Sequence, residues 1–120
     1  MGVYLGVRGW VECADGQEAL VWEVVHRHDD GFYSQGWSTL TGPNGDTCVF
    51  YCGTIRAQAT GWLLGQLREI AAIPPPVDPA DRVRGFFLAH HEEHGTQEWQ
   101  LRDGDLTVAP TDGRYDYLAA

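Results

Sequence analysis

The sequence contains no lysine, so its eight basic residues are all arginines, against 17 acidic residues. The absence of lysine alone says little about function, but the resulting net charge of −9 is informative. Nucleic-acid binding depends on a basic surface that contacts phosphates, so this charge argues against it. It suits a basic protein partner, because complementary charge accelerates the encounter. The competing interpretation is that the acidity only keeps the protein soluble.

Long apolar runs are also missing. No stretch approaches the roughly 20 apolar residues that a membrane helix needs, and no basic segment followed by an apolar stretch opens the chain. We therefore expect a cytosolic protein that makes no membrane contact. The length of 120 residues, with 43% hydrophobic and 21% charged residues, is typical of one globular domain over 1–120.

Cysteine is scarce, and the three present are Cys13, Cys48 and Cys52. They lack the paired CxxC spacing of metal and redox motifs. Cys48 and Cys52 fall on the same face of one predicted strand, where their Cα atoms would be about 13 Å apart, too far for a disulfide. We therefore expect three free thiols, buried as small core side chains.

A regular succession of apolar patterns predicts the secondary structure. Alternation of apolar and polar residues predicts strands over 3–13, 32–40, 47–55, 82–91, 97–102 and 106–108. Helical spacing predicts a first helix over 16–28, whose apolar face includes Leu20, and a second over 56–73, which three prolines end. Asp15 and Glu18 have the spacing of a capping box at the start of the first helix.

The resulting order, β-α-β-β-α-β-β-β, predicts an α+β fold. We expect a mainly antiparallel sheet with both helices packed on one face. The first six elements match the split βαβ, ferredoxin-like arrangement, with extra strands following at the C-terminal end. A different order of strands within the sheet stays open at this point.

Aromatic residues are abundant, with five Trp, five Tyr and four Phe. On the first strand, several large side chains alternate with the apolar ones, and if helices cover one face of the sheet, these side chains lie on the open face. Trp, Tyr and Arg on an open face are typical of an interaction hot spot. A tryptophan opposite the apolar stripe of the first helix and another on the second strand are further candidates. The predicted partner-binding residues are Tyr4, Arg8, Trp10, Glu12, Trp22 and Trp37. The alternatives are that Trp10 packs against Trp37 or lies in a dimer contact.

One histidine-rich segment could carry chemistry. His90, Glu92 and His94 share a face if the fourth strand continues through them, and a divalent transition metal takes such ligands. Their spacing matches neither HExxH nor a zinc finger, and a solvated hairpin end is the competing interpretation. No serine lies in a GxSxG motif and no glycine-rich segment matches a P-loop. We expect no catalytic residue, no bound metal and no cofactor, with an enzyme that uses these three residues as the alternative.

Three segments carry a resemblance to a known class of proteins: Gly2–Trp10, Glu98–Gly104 and Tyr115–Leu118. With these segments and its small, acidic character, the chain resembles the immunity proteins that bacteria encode beside secreted polymorphic toxins. The resemblance implies a non-catalytic protein that binds and neutralises a toxin domain, often with an acidic surface against a basic active site. It assigns no role to any individual residue. The alternatives are a metal- or small-ligand-binding enzyme and an adaptor domain that self-associates, and the oligomeric state stays open.

Overall fold

The computed structural model describes residues 2–14 and 16–119. The helices and strands follow one another as β1 (Tyr4–Cys13), α1 (Gln17–Arg27), β2 (Trp37–Thr41), β3 (Thr47–Arg56), α2 (Thr60–Ala71), β4 (Arg84–His91), β5 (Gly95–Arg102) and β6 (Asp105–Pro110). Short 3-10 turns occupy Tyr33–Gly36, Ala57–Ala59 and Asp116–Ala119. The predicted element order and the α+β class are confirmed.

Within the described residues, the six strands form one antiparallel sheet in the order β2-β3-β1-β4-β5-β6. Each helix connects two strands that have one strand between them: α1 joins β1 to β2 across β3, and α2 joins β3 to β4 across β1. This is the split βαβ arrangement, which β5 and β6 extend beyond β4 through two hairpins. The strand β1 therefore lies in the interior of the sheet, paired on both sides.

Alternate residues of the strands point toward the helices and form the core. The buried side chains of this layer include Leu5, Val7, Val11, Val49, Tyr51, Ile55, Phe87, Ala89, Trp99 and Leu101 from the sheet, with Val21, Val24, Val25, Leu63, Leu67 and Ile70 from the helices. The pattern follows from a period of two in strands and of three to four in helices. Because burying one large apolar side chain contributes about 1.5–3 kcal/mol, this layer is the main source of stability. Neither α1 nor α2 covers the opposite face of the sheet.

The 3-10 turn at Tyr33–Gly36 replaces the first half of the strand predicted over 32–40, so the second strand is confirmed but its predicted start was wrong. The carboxylate Oδ1 of Asp30 accepts the backbone N–H groups of Phe32 and Ser34, and Oδ1 of Asp29 accepts that of Gly31. Side chains that satisfy backbone donors locally compete with strand pairing. The strand β2 therefore begins only at Trp37.

The buried side of α1 also differs from the prediction. Its buried residues are Gln17, Val21, Val24 and Val25, whereas Leu20 is 39% exposed. Gln17 belongs to the buried stripe because its side chain connects two loops: Oε1 accepts the N–H of Ala14 and Nε2 donates to the carbonyl of Asp81, both at 2.7 Å. The predicted capping box depends on Asp15, which lies outside the described residues.

The three cysteines are free, as predicted, but they are not all buried. Cys13 and Cys48 are half-buried, and burial raises the pKa of the Cys13 thiol to about 11. Cys52 is exposed because it points to the open face of the sheet. Among the described residues, no helix has both the length and the apolar character needed to cross a membrane.

Gly9 allows β1 and β4 to approach each other closely at the helix-covered face of the sheet. A Cβ atom at this position would lie 2.5 Å from Cδ2 of Phe87 and would also collide with the carbonyl of Phe86. We expect Gly9→Ala to lower the free energy of unfolding by about 1–3 kcal/mol, as other overpacked positions do. Urea unfolding followed by circular dichroism measures this change. Gly6→Ala on the same strand is the matched control, since a Cβ there meets nothing within 4 Å. Equal stability of both variants would contradict the close approach.

Candidate functional site

The open face of the sheet, which lies opposite α1 and α2, presents the remaining alternate residues of each strand. One row across the strands consists of Ser38, Phe50, Trp10, Phe86, Gln100 and Thr107, and the next consists of Cys52, Arg8, Leu88, Glu98 and Ala109. We call Trp10, Phe50, Phe86 and Leu88 the aromatic patch. These four side chains come from three adjacent strands, are each half-buried and line a common hollow. They form a continuous apolar surface in contact with solvent.

A hydrogen bond fixes the orientation of Trp10 within the patch. Its indole Nε1 donates to Oε2 of Glu12 at 3.0 Å, while Nε of Arg84 donates to Oε1 of the same carboxylate at 3.0 Å. The indole ring lies 6.0 Å from the ring of Phe86, tilted by 54°. The hydrogen bond from Trp10 is the main cause of the lowered pKa of Glu12, and the bond from Arg84 is the second. Both favour the ionised carboxylate. Glu12 therefore positions Trp10.

A hollow of about 330 Å³ opens in the middle of the patch. Its lining consists of Arg8, Gly9, Trp10, Phe50, Tyr51, Cys52, Phe86 and Leu88. Cys52 lies directly opposite Arg8 in the pairing of β1 and β3, and its short side chain leaves the space unfilled. Arg8 is the one charged residue of this lining. The hollow is thus a mainly apolar depression with a guanidinium at its border.

The C-terminal segment, residues 111–119, crosses back over another part of the open face. The N–H of Thr111 donates to the carbonyl of Thr96 at 3.0 Å, and the hydroxyl of Thr96 donates to Oδ1 of Asp116 at 3.3 Å. Further along, Nη2 of Arg8 donates to the carbonyl of Leu118 at 3.0 Å. The segment therefore covers the part of the face around Gly6 and borders Leu88 at the edge of the aromatic patch, whereas Trp10, Phe50 and Phe86 lie outside this covered part.

Carboxylates lie beyond one end of the patch. Glu12, Asp46 and Asp81 line a cleft of about 550 Å³, together with Arg82 and Arg84. Arg84 is paired with Glu12 at 3.0 Å, whereas Asp46 and Asp81 make no ion pair within residues 2–14 and 16–119. Arg82 makes no ion pair among these residues either, so the cleft keeps two carboxylates and one guanidinium without an ion pair, and this end of the patch has a net negative charge.

Tyr4, Arg8, Trp10 and Glu12 lie on the open face, as predicted from the alternation along β1. They are not equivalent there. Arg8 and Trp10 border the hollow, and Glu12 supports Trp10 from beside it. Tyr4 lies at the far end of the strand, where the guanidinium of Arg56 is 5.6 Å from its ring centre. Only part of the predicted set is therefore brought together.

Trp37 was wrongly predicted to share a partner-binding surface with Trp10. It is only 6% exposed and lies on the helix-covered face, where its ring packs edge-on against Tyr51 and Phe87 at centroid distances of 5.1 and 6.5 Å. The alternative packing of Trp10 against Trp37 is excluded as well, since the two point to opposite faces of the sheet. Trp37 belongs to the core.

Trp22 does not lie on the open face either. It is half-buried against the core, and its indole Nε1 donates to Oγ1 of Thr39 at 2.6 Å. The outer position predicted for it on the first helix is therefore wrong, because this side of α1 packs toward β2. Trp22 joins a helix to the sheet.

The residues of the alternative metal site do not converge. His90 lies on β4 with Nδ1 at 2.9 Å from the hydroxyl of Thr96. Glu92 and His94 lie in the turn that follows, where the ring of His94 stacks on that of His91 at 4.4 Å. No group of three or more His, Cys, Asp or Glu side chains within the described parts of the chain is arranged to hold a metal ion.

Sequence reasoning missed Phe50, Phe86, Leu88 and Cys52. The signal was present, because each alternates with a buried residue on its own strand, for example Phe50 between Val49 and Tyr51. What could not be read from the sequence was that β3 and β4 flank β1. Their open-face residues join those of β1 only through this strand order.

Comparison of the chain with protein-family models, with curated proteins and with solved structures found no match. The function is therefore inferred from the open face itself. What this face offers is an apolar surface with a central hollow and charged residues at its border, which is a geometry suited to binding.

The hydrogen bond between Trp10 and Glu12 should be visible in a pH titration. Since the pKa of Glu12 lies below its ordinary value of 4.5, the carboxylate stays ionised until the pH falls below that value. Protonation then weakens the bond, and its stabilising contribution, fully present above pH 4.5, is lost as the pH falls through the lowered pKa. We expect the indole N–H resonance of Trp10 to move with a midpoint below pH 4.5 and to lose this transition in Glu12→Gln. The indole of Trp22, bonded to a hydroxyl, is the internal control. A midpoint at or above 4.5 would contradict the assignment.

The anchoring of the C-terminal segment by Thr96 can be tested with Thr96→Val. This change removes the hydroxyl that contacts both His90 and Asp116, at a cost of about 1 kcal/mol for a typical hydrogen bond. We expect the Leu118 amide to exchange its hydrogen about fivefold faster, as such a loss implies. Hydrogen exchange measured by NMR provides the rate. Thr107→Val is the control, because Thr107 lies on the same face of the sheet but on β6. An unchanged exchange rate in Thr96→Val would show that other contacts hold the segment.

Proposed function

We propose that this protein is a non-catalytic protein-binding domain that acts through its open face. We further propose that it is an immunity protein, which binds and neutralises the toxin domain of a bacterial polymorphic toxin in the cytoplasm. The observation that supports the proposal is the aromatic patch, in which side chains of three adjacent strands remain in contact with solvent. Contiguous exposed apolar surface of this kind marks interaction sites, and Trp and Arg are enriched among the residues that dominate binding.

The position of the patch supports binding with little loss of conformational freedom. Trp10, Phe50 and Phe86 are carried by β1, β3 and β4, and each of these strands pairs with a neighbour on both sides. Hydrogen bonding to Glu12 further restricts Trp10. A surface ordered before the partner arrives loses less entropy on association, which leaves more of the contact energy for affinity.

The charge distribution supports a basic partner. The chain carries a net charge of −9, and Asp46 and Asp81 lie beside the end of the patch without an ion pair among the described residues. Carboxylates at the rim attract cationic residues and increase the rate of encounter. A toxin domain with a basic active site has the complementary charge, in agreement with the resemblance to immunity proteins.

The proposal can be tested by affinity capture from the native host followed by mass spectrometry. Wild-type protein and Phe32→Ala should each capture the same basic toxin domain in stoichiometric amount, whereas Trp10→Ala and Phe86→Ala should lose it. Phe32 is the matched control because it is an aromatic residue that is 70% exposed and lies outside the patch. With the purified partner, each patch variant should bind about 30-fold more weakly or worse, as expected for a hot-spot loss of 2 kcal/mol or more.

Two outcomes would contradict the proposal. Equal capture by wild type and both patch variants would show that the partner binds elsewhere. A captured toxin domain whose activity is unaffected by an excess of this protein would refute neutralisation. Circular dichroism of each variant confirms that the fold is retained, which is expected because the core lies on the opposite face of the sheet.

A further inference from the structure

The hollow at the centre of the aromatic patch points to a specific mode of contact. We infer that it is a socket for one large apolar side chain of a basic protein partner, which enters beside Arg8. This inference rests on the proposed protein-binding function and deepens it. It names the group that the partner contributes and the residues that receive it.

The size and lining of the hollow match a single side chain. Its volume of about 330 Å³ is at the bottom of the range of roughly 300–1,000 Å³ that is usual for small-molecule sites. Such sites also need several placed polar groups to orient a ligand, whereas this lining provides one charged side chain, that of Arg8. An apolar anchor residue inserted into a pocket at the centre of an interface requires no such set.

The walls of the socket are held in place from outside it. Trp10 leans along β1 toward Glu12, to which its indole is bonded, and so away from Arg8. Arg8 is held on the opposite side by the carbonyl of Leu118, 110 positions away in the sequence. Cys52 lines the hollow between Trp10 and Arg8, and its short side chain leaves the hollow unfilled. The space therefore exists before any partner binds.

Charge distinguishes a basic partner from a second copy of this chain. The neighbouring cleft contains Asp46 and Asp81, and each copy has a net charge of −9. Two exposed aromatic residues that a second copy offers, Phe32 and Tyr117, both lie close to carboxylates in the sequence: Asp29 and Asp30 precede Gly31 and Phe32, and Asp116 precedes Tyr117. Insertion of either ring would bring its neighbouring carboxylates toward Asp46 and Asp81. An apolar residue flanked by cationic residues meets complementary charge instead.

The socket can be tested without the partner, using N-acetyl-L-tryptophanamide as an uncharged probe. We expect millimolar probe to cause saturable NMR shifts in the backbone amides of residues 8, 52 and 88 and to slow alkylation of the Cys52 thiol. N-acetylglycinamide, which has no side chain, should cause neither effect. Cys52→Leu fills the hollow from its floor and should abolish the shifts. Thr54→Leu should retain them, because Thr54 is exposed on the same face of β3 but does not line the hollow.

Shifts that are absent from wild type, or that persist in Cys52→Leu, would overturn the socket. With the purified partner, binding by the same two variants tests the socket separately from the proposed protein-binding function. Cys52→Leu should bind it at least tenfold more weakly, while Thr54→Leu binds as wild type does. If Cys52→Leu binds as tightly as wild type but Trp10→Ala does not, the patch remains the binding surface and the socket is refuted. Light scattering that shows a dimer, lost in Cys52→Leu, would instead identify a second copy as the occupant and overturn the basic partner.

Discussion

The structure depends on the packing of both helices against the same face of the sheet. Each helix connects strands that lie two positions apart, and crossover connections of this type have one preferred hand. With α1 and α2 on one side, the buried apolar residues of β1 to β5 point to that side. The opposite face then carries side chains that do not belong to the core. This single constraint explains why Tyr51 is buried while its neighbour Phe50 contacts solvent.

The two faces of the sheet consequently have different roles. The helix-covered face supplies apolar burial, which accounts for most of the stability. On the open face, polar contacts hold apolar groups in position: Glu12 orients Trp10, and Arg8 meets the C-terminal segment at Leu118. The result is an apolar surface that is ordered but uncovered. Because the two roles are separated by the plane of the sheet, side chains on the open face can change without altering the core.

The element types followed from the sequence because the apolar periods of two and of three to four are local properties. Errors arose where other local interactions overrode these periods. The aromatic segment over 32–40 alternates like a strand, yet the carboxylate of Asp30 accepts the backbone N–H groups of Phe32 and Ser34 within it. Leu20 was placed on the buried face of α1, whereas a buried glutamine, Gln17, occupies that stripe because it bonds to two loops.

The sequence by itself determined the acidic charge, the order of helices and strands, and the position of Arg8, Trp10 and Glu12 together on one face of the first strand. Only the tertiary structure decided that Trp37 is buried, that Phe50 and Phe86 join Trp10, and that the C-terminal segment covers the part of the open face around Gly6. The physical reason is that alternation separates the two faces within one strand. It does not specify which strands become neighbours or which face the helices cover, because long-range contacts determine both.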